Sequence, residues 1–552
     1  MAKRKSGTLL DALLHSAEPD QPRWKLVPLV LALAFVTRAA VALAGDFVLH
    51  PDEIMQYLEP AHRLAFGTGV VYWEYFYGAR SWLVPGAVAG VLKLFDAAGL
   101  GEPVWYVAGI KLLFCAISVS IPAGMYSFAR RHFGETAARL ALLAGVFWYE
   151  LAGFAHKPLT EFVATAPLLA LLALCASRAP DRPRVVGPAA VLAVLIAAIR
   201  LQYAPVAVVL LAVLFLRTRL KLPLALTAAA ALCVVGVFDA VAWNGGLFHS
   251  YLTNVRFNLI LGEMRTGESP AYQFVWWLTI AGGGLSVLCL AAAVRWPARY
   301  GLLLGLIVLV LLAHSVQAHK EYRFIFAVIP LWLLIGADLT ARAAAWAAAR
   351  LPARPGAHLG VTAVAGALVA AVSLAGVLNA LPAQGRVYQA WSQETGITGF
   401  LRRQDPIFAA YRYLARAPGV EAVWQVDRPY YNTPGYYYLH RAIPFYDAFT
   451  GGGINRGLAT VTASVSHLVA ADPALAVPGY SVQRDFGGVR ILRRDAGEPP
   501  VRRWQEYAPV IADQLVHDIM LQVDPGAPAP PTNAGIRFAQ PEQPATRSEE
   551  GQ

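Results

Sequence analysis

Charge is scarce in this chain. Of its 552 residues only 15% are Asp, Glu, Lys or Arg, while 57% are hydrophobic and the mean hydropathy is +0.47, a balance that excludes a set of ordinary soluble domains. Cysteine is scarcer still. Cys115, Cys175, Cys233 and Cys289 all lie in apolar segments without the close spacing of a zinc site or a redox pair, so they read as small core hydrophobes. No repeat of fixed period occurs, and no alternating ten-residue pattern marks an outer-membrane barrel. No Asn-x-Ser/Thr acceptor with a permitted middle residue is present, and only 8 of the 46 basic residues are Lys, both in keeping with a GC-rich bacterial genome.

What the chain has in quantity is apolar segments of about twenty residues, the length an α-helix needs to cross a hydrocarbon core. The formal net charge of +11 is carried largely by short loops between these segments, which fits orientation in a bilayer and not nucleic-acid binding. Residues 1–25 form a basic, cytoplasmic N-terminal segment. The first span is expected at 26 to 45, too far behind a charged lead to be a cleaved signal. Basic loops at Arg130-Arg131, Arg178 to Arg184, Arg217 to Lys221, Arg295 to Arg299 and Arg342 to Arg354 all fall inside if residues 46–104 are one external loop with interfacial helices. About 11 spans result, and residues 26–381 form an all-α polytopic membrane domain. From residue 382 the sequence becomes Tyr-rich and mixed, and a small external α/β domain is expected over 382–524. A helix is predicted at 406–417, with strands at 422–426, 443–446, 465–470 and around Tyr480 and Val489. Residues 525–552, rich in Pro and Ala, read as a disordered tail.

Polar residues without an evident packing role gather in three external regions. The first is His50-Pro51-Asp52-Glu53, directly after the first span, where Pro51 suits the opening turn of a helix and the acids favour its amino end. On an α-helix Asp52, Gln56 and Glu59 would share a face; Trp73, Glu74, Arg80 and Ser81 follow in the same loop. The second is His319-Lys320-Glu321-Tyr322-Arg323, read either as a charged turn that snorkels to the surface or as a phosphate site, since Lys offers a compact cation and Arg a donor fork. The third is the loop 244–272, with Tyr251, Asn254, Arg256, Asn258, Glu263 and Arg265. Arg200, Gln202, His156, Lys157 and Glu161 are candidates to line the same cavity. The tyrosines at 430, 431, 436, 437 and 438 are read either as a glycan surface or as core.

Taken in order, these motifs resemble the Alg9-like and GPI mannosyltransferases of glycosyltransferase family 22, a bacterial member being expected. The likeness rests on His50-Pro51-Asp52-Glu53 with Gln56, Leu58-Glu59 and Ala61-His62-Arg63, on Trp73-Glu74-Tyr75 with Arg80-Ser81 and Pro85, and on His319-Lys320-Glu321 with Arg323-Phe324-Ile325. It covers roughly residues 26 to 341 and departs from the family pattern at Tyr72, at Ala327 and in the larger C-terminal region. The resemblance implies a GT-C fold and inverting transfer of a hexose, usually mannose. The donor would be a polyprenyl or dolichyl phosphate, and the acceptor a hydroxyl of a lipid-linked or membrane-presented glycan.

Within that frame Asp52 is the first choice of general base and Glu53 the second, because an alcohol needs its proton removed as the new bond forms. Lys320 and Arg323, with His319 and Arg200, would bind the donor phosphate. His50, Gln56, Glu59, Arg63, Trp73, Glu74, Arg80 and Glu321 are expected to contact substrate. A lipid monophosphate needs no divalent ion if protein cations neutralise it, so neither a metal nor another cofactor is expected, and the partners are the lipid donor, the glycan acceptor and membrane lipids. The rival classes are a transporter or flippase of lipid-linked sugars and an oligosaccharide ligase with a lipid diphosphate donor. The expected location is a bacterial inner membrane with the site periplasmic, or the endoplasmic reticulum with a luminal site in a eukaryote.

Overall fold

The structure, a computed structural model, describes residues 24–48, 50–265, 272–316, 320–350, 405–447, 465–496, 510–511 and 514–530, with isolated positions between 364 and 373. His319, most of the last expected span and residues 531–552 lie outside the described residues.

Five described helices, Val27–Ala44, Pro103–His132, Lys221–Trp243, Pro297–Ser315 and Val328–Ala347, are long and apolar enough to cross a membrane, and three shorter apolar ones are Thr160–Cys175, Pro183–Ile199 and Leu201–Arg217. The chain is an integral membrane protein. Its helices bury one another along a common core that includes Trp148, Tyr149, Leu169, Ile196, Tyr203 and Trp332, while Lys221–Trp243 turns Leu222, Leu226, Val234 and Val241 outward. An apolar outer surface is stable only against lipid tails. Cys115, Cys175 and Cys289 are buried as expected, but Cys233 is exposed on that outward helix, where the sequence shows apolar neighbours whichever way a helix faces.

One expected span is not straight. Gln273–Ala281 and Leu285–Arg295 meet at 116°, because Gly282, Gly283 and Gly284 separate them and Gly283 and Gly284 adopt φ of 58° and 81°, a region other residues enter only under strain. The segment Leu83–Ala97 is a 15-residue helix, about 22 Å long. It buries Pro85, Val88, Ala89 and Leu92 and packs on the helix Glu59–Phe66 of the first loop.

After residue 404 the fold turns to mixed α/β. Strands β2 (Val423–Gln425), β3 (Phe445–Tyr446), β4 (His467–Ala470), β5 (Tyr480–Asp485) and β6 (Arg490–Arg494) form one sheet in the order β3-β2-β4-β6-β5. The β2 strand runs parallel to β3 and β4, whereas β6 is antiparallel to β4 and β5. The helix Pro406–Arg416 starts where Asp405 Oδ1 accepts from Ile407 N at 3.2 Å, the side-chain cap its sequence calls for. A short parallel pair joins β1 (Val71–Tyr72) of the first loop to β7 (Val510–Ile511), and the helix Gln514–Val523 lays Val516, Ile519 and Met520 against Trp73 and Phe257.

This C-terminal unit is bolted to the first loop by two acids, Asp46 half-buried and Glu59 fully buried. Asp46 pairs with Lys111 and Arg412 and accepts from Tyr438 Oη at 2.9 Å. Glu59 accepts from Tyr430 Oη, from Tyr437 N at 2.7 Å and from Val70 N at 3.1 Å. Gly435, at φ 63°, lets the chain pass this point: a Cβ there would meet Glu59 Oε1 and lie 2.8 Å from Tyr430 Oη. Tyr430, Tyr436, Tyr437 and Tyr438 are buried and Tyr431 half-buried, so the tyrosine run fills a core shared with Ile54, Met55 and Leu92.

Candidate active site

The loop after the first span folds on itself at once. Pro51 fixes its own φ and frees the chain to turn, so Glu53 N reaches His50 O at 3.0 Å and Ile54 N reaches Pro51 O at 3.1 Å. The following residues, Glu53–Leu58, form a π-helix, a rare widened turn that is frequent at functional sites. That widening breaks the α-helical spacing, and the expected common face of Asp52, Gln56 and Glu59 does not form. Asp52 turns toward the second motif, whereas Glu59 turns to Tyr430.

Across 271 positions of sequence, Asp52 Oδ2 meets Arg323 Nη2 at 2.7 Å. Arg323 is the hub of a charged cluster. Its Nε donates to Glu321 Oε2 at 2.6 Å and its Nη1 to Glu161 Oε1 at 2.7 Å. Glu161 Oε2 lies 3.4 Å from Arg200 Nη1, and His50 bridges the open side, with Nδ1 3.4 Å from Asp52 Oδ2 and Nε2 3.2 Å from Glu321 Oε2. Asp52 and Glu321 keep 17% and 15% of their side-chain exposure, against 8% for Arg323 and none for Glu161. Access is therefore from the Asp52 and Glu321 side.

The electrostatics follow from this packing. Burial alone would raise the Asp52 carboxyl, but the charges of His50 and Arg323 outweigh it and hold it well below the usual carboxylate range. Burial and Arg323 press the His50 imidazole down, yet Asp52 and Glu321 together overcome them and lift it to about 9. A second pair stands beside the first: Glu74 is joined to Arg80, and burial drives the Glu74 carboxyl upward although Arg80 opposes it. Glu74 Oε2, Arg80 Nε and Arg200 Nε are buried without a hydrogen-bond partner among the described residues. Buried polar atoms left open in this way are costly unless a ligand or water completes them.

The other expected site residues divide clearly. Glu53 is buried, with Oε2 2.9 Å from Lys157 Nζ and Oε1 accepting from His50 N at 3.1 Å. Lys320 is buried beside Glu321. Gln56 is buried, and its carbonyl accepts from Tyr75 Oη at 2.6 Å. Three residues are not brought to the cluster. Glu59 is the bolt described above, Arg63 is exposed and donates to Gly69 O at 3.0 Å, and Trp73 packs against Phe257 with ring centroids 4.3 Å apart and planes tilted by 31°. Sequence reasoning also missed partners. Tyr57 Oη and Thr160 Oγ1 lie 2.9 Å apart and Thr160 Oγ1 donates to Glu161 Oε2 at 3.4 Å, and nothing in their residue types announces it. Lys111 had a signal, being a lone cation inside an apolar run.

This geometry can be set beside known proteins. The sequence profile of the Alg9-like mannosyltransferase family matches residues 29–440. GPI mannosyltransferase 3 of Yarrowia lipolytica is 28% identical over 338 residues, covering 57% of this chain and 62% of that protein. GPI alpha-1,2-mannosyltransferase 3 of Xenopus laevis is 26% identical over 310 residues, covering 51% and 54%. The chain thus spans less than two thirds of the length of the curated relatives it matches. In fold it is similar to ArnT from Cupriavidus metallidurans bound to undecaprenyl phosphate, with a TM-score of 0.53 over 85% of this chain and 98% of that one at 16% identity. The architecture is the GT-C fold, and with the profile matched over most of its length the chain belongs to the Alg9-like mannosyltransferase family.

Proposed function

We propose that this protein is an inverting glycosyltransferase that moves a hexose, mannose in the first instance, from a polyprenyl or dolichyl phosphate to a hydroxyl of a lipid-linked or membrane-presented glycan. The observation that carries the reading is the meeting of Asp52 and Arg323 at 2.7 Å in a cluster open on the Asp52 side. The names of the relatives and the undecaprenyl phosphate bound to ArnT support the same substrate classes.

In the reaction Asp52 takes the proton of the acceptor hydroxyl as its oxygen bonds to the anomeric carbon. The bond from that carbon to the carrier phosphate breaks, and the electron pair leaves with the phosphate oxygen. General-base help of this kind contributes roughly a hundred- to ten-thousandfold. The departing phosphate develops charge that Arg323, Arg200, Arg80 and Lys320, with His319 next to Lys320 in sequence, are suited to neutralise. Arg200 Nε and Arg80 Nε already point a donor at no protein acceptor among the described residues. Glu53 is engaged by Lys157 at 2.9 Å, so Asp52 is assigned the base before Glu53. The carboxylates that would otherwise hold a divalent ion, Asp52, Glu161 and Glu321, each bind Arg323 instead, which supports a reaction without added metal. The site and the C-terminal unit are assigned to the extracytoplasmic face.

Purified protein incubated with polyprenyl phosphate mannose and membrane glycolipids tests the proposal. Release of polyprenyl phosphate together with a new glycosidic bond, unaffected by a chelator, is the expected result. Movement of intact donor across a bilayer without cleavage, or transfer only from a lipid diphosphate, would replace this reading with that of a transporter or a ligase.

A further inference from the structure

Among the described residues Glu74 Oε2 is the one buried carboxylate oxygen without a hydrogen-bond partner. Its neighbour on the same carboxyl, Oε1, is joined to Arg80 Nη2, and Arg80 Nε, on the same guanidinium, is buried and unpartnered as well. A pair kept only for the fold would close as a two-pronged fork, with both oxygens and two nitrogens matched. This one makes a single bond and leaves an acceptor and a donor flanking it. A hydroxyl can complete both, because it donates one hydrogen and accepts another, whereas a phosphate oxygen, an acceptor alone, would face a second acceptor at Oε2.

The pair is fixed in place and stands beside the charged cluster. The short helix Trp73–Phe76 that carries Glu74 is held to the π-helix by Tyr75 Oη, which donates to Gln56 O at 2.6 Å. Behind it Trp73 packs with Phe257, Ile519 and Met520, and β7 pairs with β1, which ends at Tyr72. The Arg80 carbonyl accepts from Trp243 Nε1 at 3.1 Å. The charges of Asp52 and Arg323 both bear on Glu74, and Tyr57 lies within reach of the charges of Arg80, Glu161 and Arg200. Arg80 keeps 21% of its side-chain exposure, against 17% for Asp52, so the pair, like Asp52, is reachable from outside.

Resting on the transferase reading above, we propose that Glu74, oriented by Arg80, reads the donor hexose at the hydroxyl next to its anomeric carbon. That hydroxyl is the one nearest the carrier phosphate. A guanidinium carries five N–H donors, so Arg80 can hold Glu74 and this hydroxyl and still turn others to the phosphate. Glu74 Oε2 accepts from the hydroxyl and Arg80 Nε donates to it. In glycosyl transfer a hydrogen bond at this position strengthens as positive charge develops on the ring, so the contact that selects the sugar also favours the transition state. A hexose lacking the hydroxyl leaves the buried acceptor bare, which is how a polar site rejects a deoxy analogue.

The test measures binding of short-chain polyprenyl phosphate mannose and its 2-deoxy and 6-deoxy analogues to the full chain in lipid nanodiscs. Wild type should hold the parent sugar roughly ten- to hundredfold tighter than the 2-deoxy analogue, as expected for a hydrogen bond to a charged group. In Glu74→Gln, which keeps the shape and an oxygen for Arg80, that preference should shrink by about tenfold, while the preference over the 6-deoxy analogue stays as in wild type. Equal affinity of wild type for the parent and 2-deoxy donors would overturn the assignment without any variant. So would an undiminished preference in folded Glu74→Gln, or a loss of affinity shared equally by all three donors, the mark of a structural role. Sugar-dependent binding without transfer would remove the reaction and leave this subsite, whereas transfer without the 2-deoxy preference would remove the subsite and leave the reaction.

Discussion

Asp52 and Glu53 are adjacent acids, and their replacement should give opposite results. In Asp52→Asn the remaining carbonyl oxygen still accepts from Arg323 at the observed 2.7 Å, and the position is partly exposed, so folding should be preserved. Turnover should fall by roughly a hundred- to ten-thousandfold, equivalent to about 3–5 kcal/mol of barrier, because an amide cannot take the acceptor proton. Glu53→Gln leaves Lys157, itself buried, without its anionic partner at 2.9 Å. Breaking a buried pair from one side costs about 3–5 kcal/mol, and that cost falls on stability. Thermal unfolding followed by size-exclusion fluorescence should therefore be near wild type for Asp52→Asn and clearly lowered for Glu53→Gln. Single-turnover release of polyprenyl phosphate at saturating acceptor should show the reverse, with the surviving Glu53→Gln molecules within about tenfold of wild type, the shift expected from a lost binding contact and not from a lost base. A stable, inactive Glu53→Gln beside an active Asp52→Asn would refute the assignment of the base.

Arg323→Lys places one compact ammonium where three carboxylates lie within 2.7 Å of a fork, so at least one buried acid loses its partner; stability should drop by about 3 kcal/mol or more, and transfer should fall at least in step, both read on the same preparation. Glu59 makes stability pH-dependent. Burial, only partly offset by Tyr430 and the Val70 and Tyr437 amides, lifts its carboxyl from 4.5 to about 7, so the folded state binds this proton more tightly than the unfolded chain; the contribution is complete below the ordinary carboxylate value and is lost as pH rises through about 7. The unfolding temperature should decline across that window in wild type and lose this slope in Glu59→Gln, and an unchanged slope in the variant would count against the bolt. Gly435→Ala forces a side chain into the left-handed region at about 1–2 kcal/mol and drives its Cβ against Glu59, so protease protection of residues 405–447 should fall while the Asp52 cluster, held by other elements, stays assembled.

Much of this arrangement was legible in the residues. Apolar length announced the spans, and the two short motifs announced the charged cluster, because Asp52 and Arg323 are charged groups with no packing reason to sit at span ends. The β-rich region after residue 404 was legible from its alternation and its Gly and Pro punctuation, down to β2, β4 and the β5 and β6 pair. The bend at Gly282 to Gly284 was written as three glycines inside an apolar run, although hydropathy alone averages over it. Other features were hidden for physical reasons. The π-helix at Glu53–Leu58 leaves no mark in periodicity over six residues, so Asp52, Gln56 and Glu59 read as one stripe when they are not. Glu59 and Tyr430 stand 371 positions apart, and no local signal tells a buried acid that bolts two units together from one that faces a substrate. Trp73 shows the same limit: an aromatic ring beside an acid suits a sugar face and a hydrophobic core equally, and the partner that decides, Phe257, lies far along the chain.

The cluster also revises what the second motif does. Sequence alone presents Lys320 and Arg323 as cations waiting for an anion, but Arg323 is already matched by Asp52, Glu161 and Glu321, and Asp52 bound to Arg323 and His50 is a weak base. These two facts support one another. On the proposed reaction, a donor phosphate arriving at Arg323 competes with Asp52 for the same guanidinium, and each step of that exchange returns basicity to the carboxylate. Glu161, buried and shared between Arg323 and Arg200, keeps both guanidiniums in place while the exposed acid is released. The resting cluster is then neutral enough to be buried without ligand, and it becomes competent only with the phosphate present, which protects the protein from carrying an uncompensated charge in a site of low dielectric.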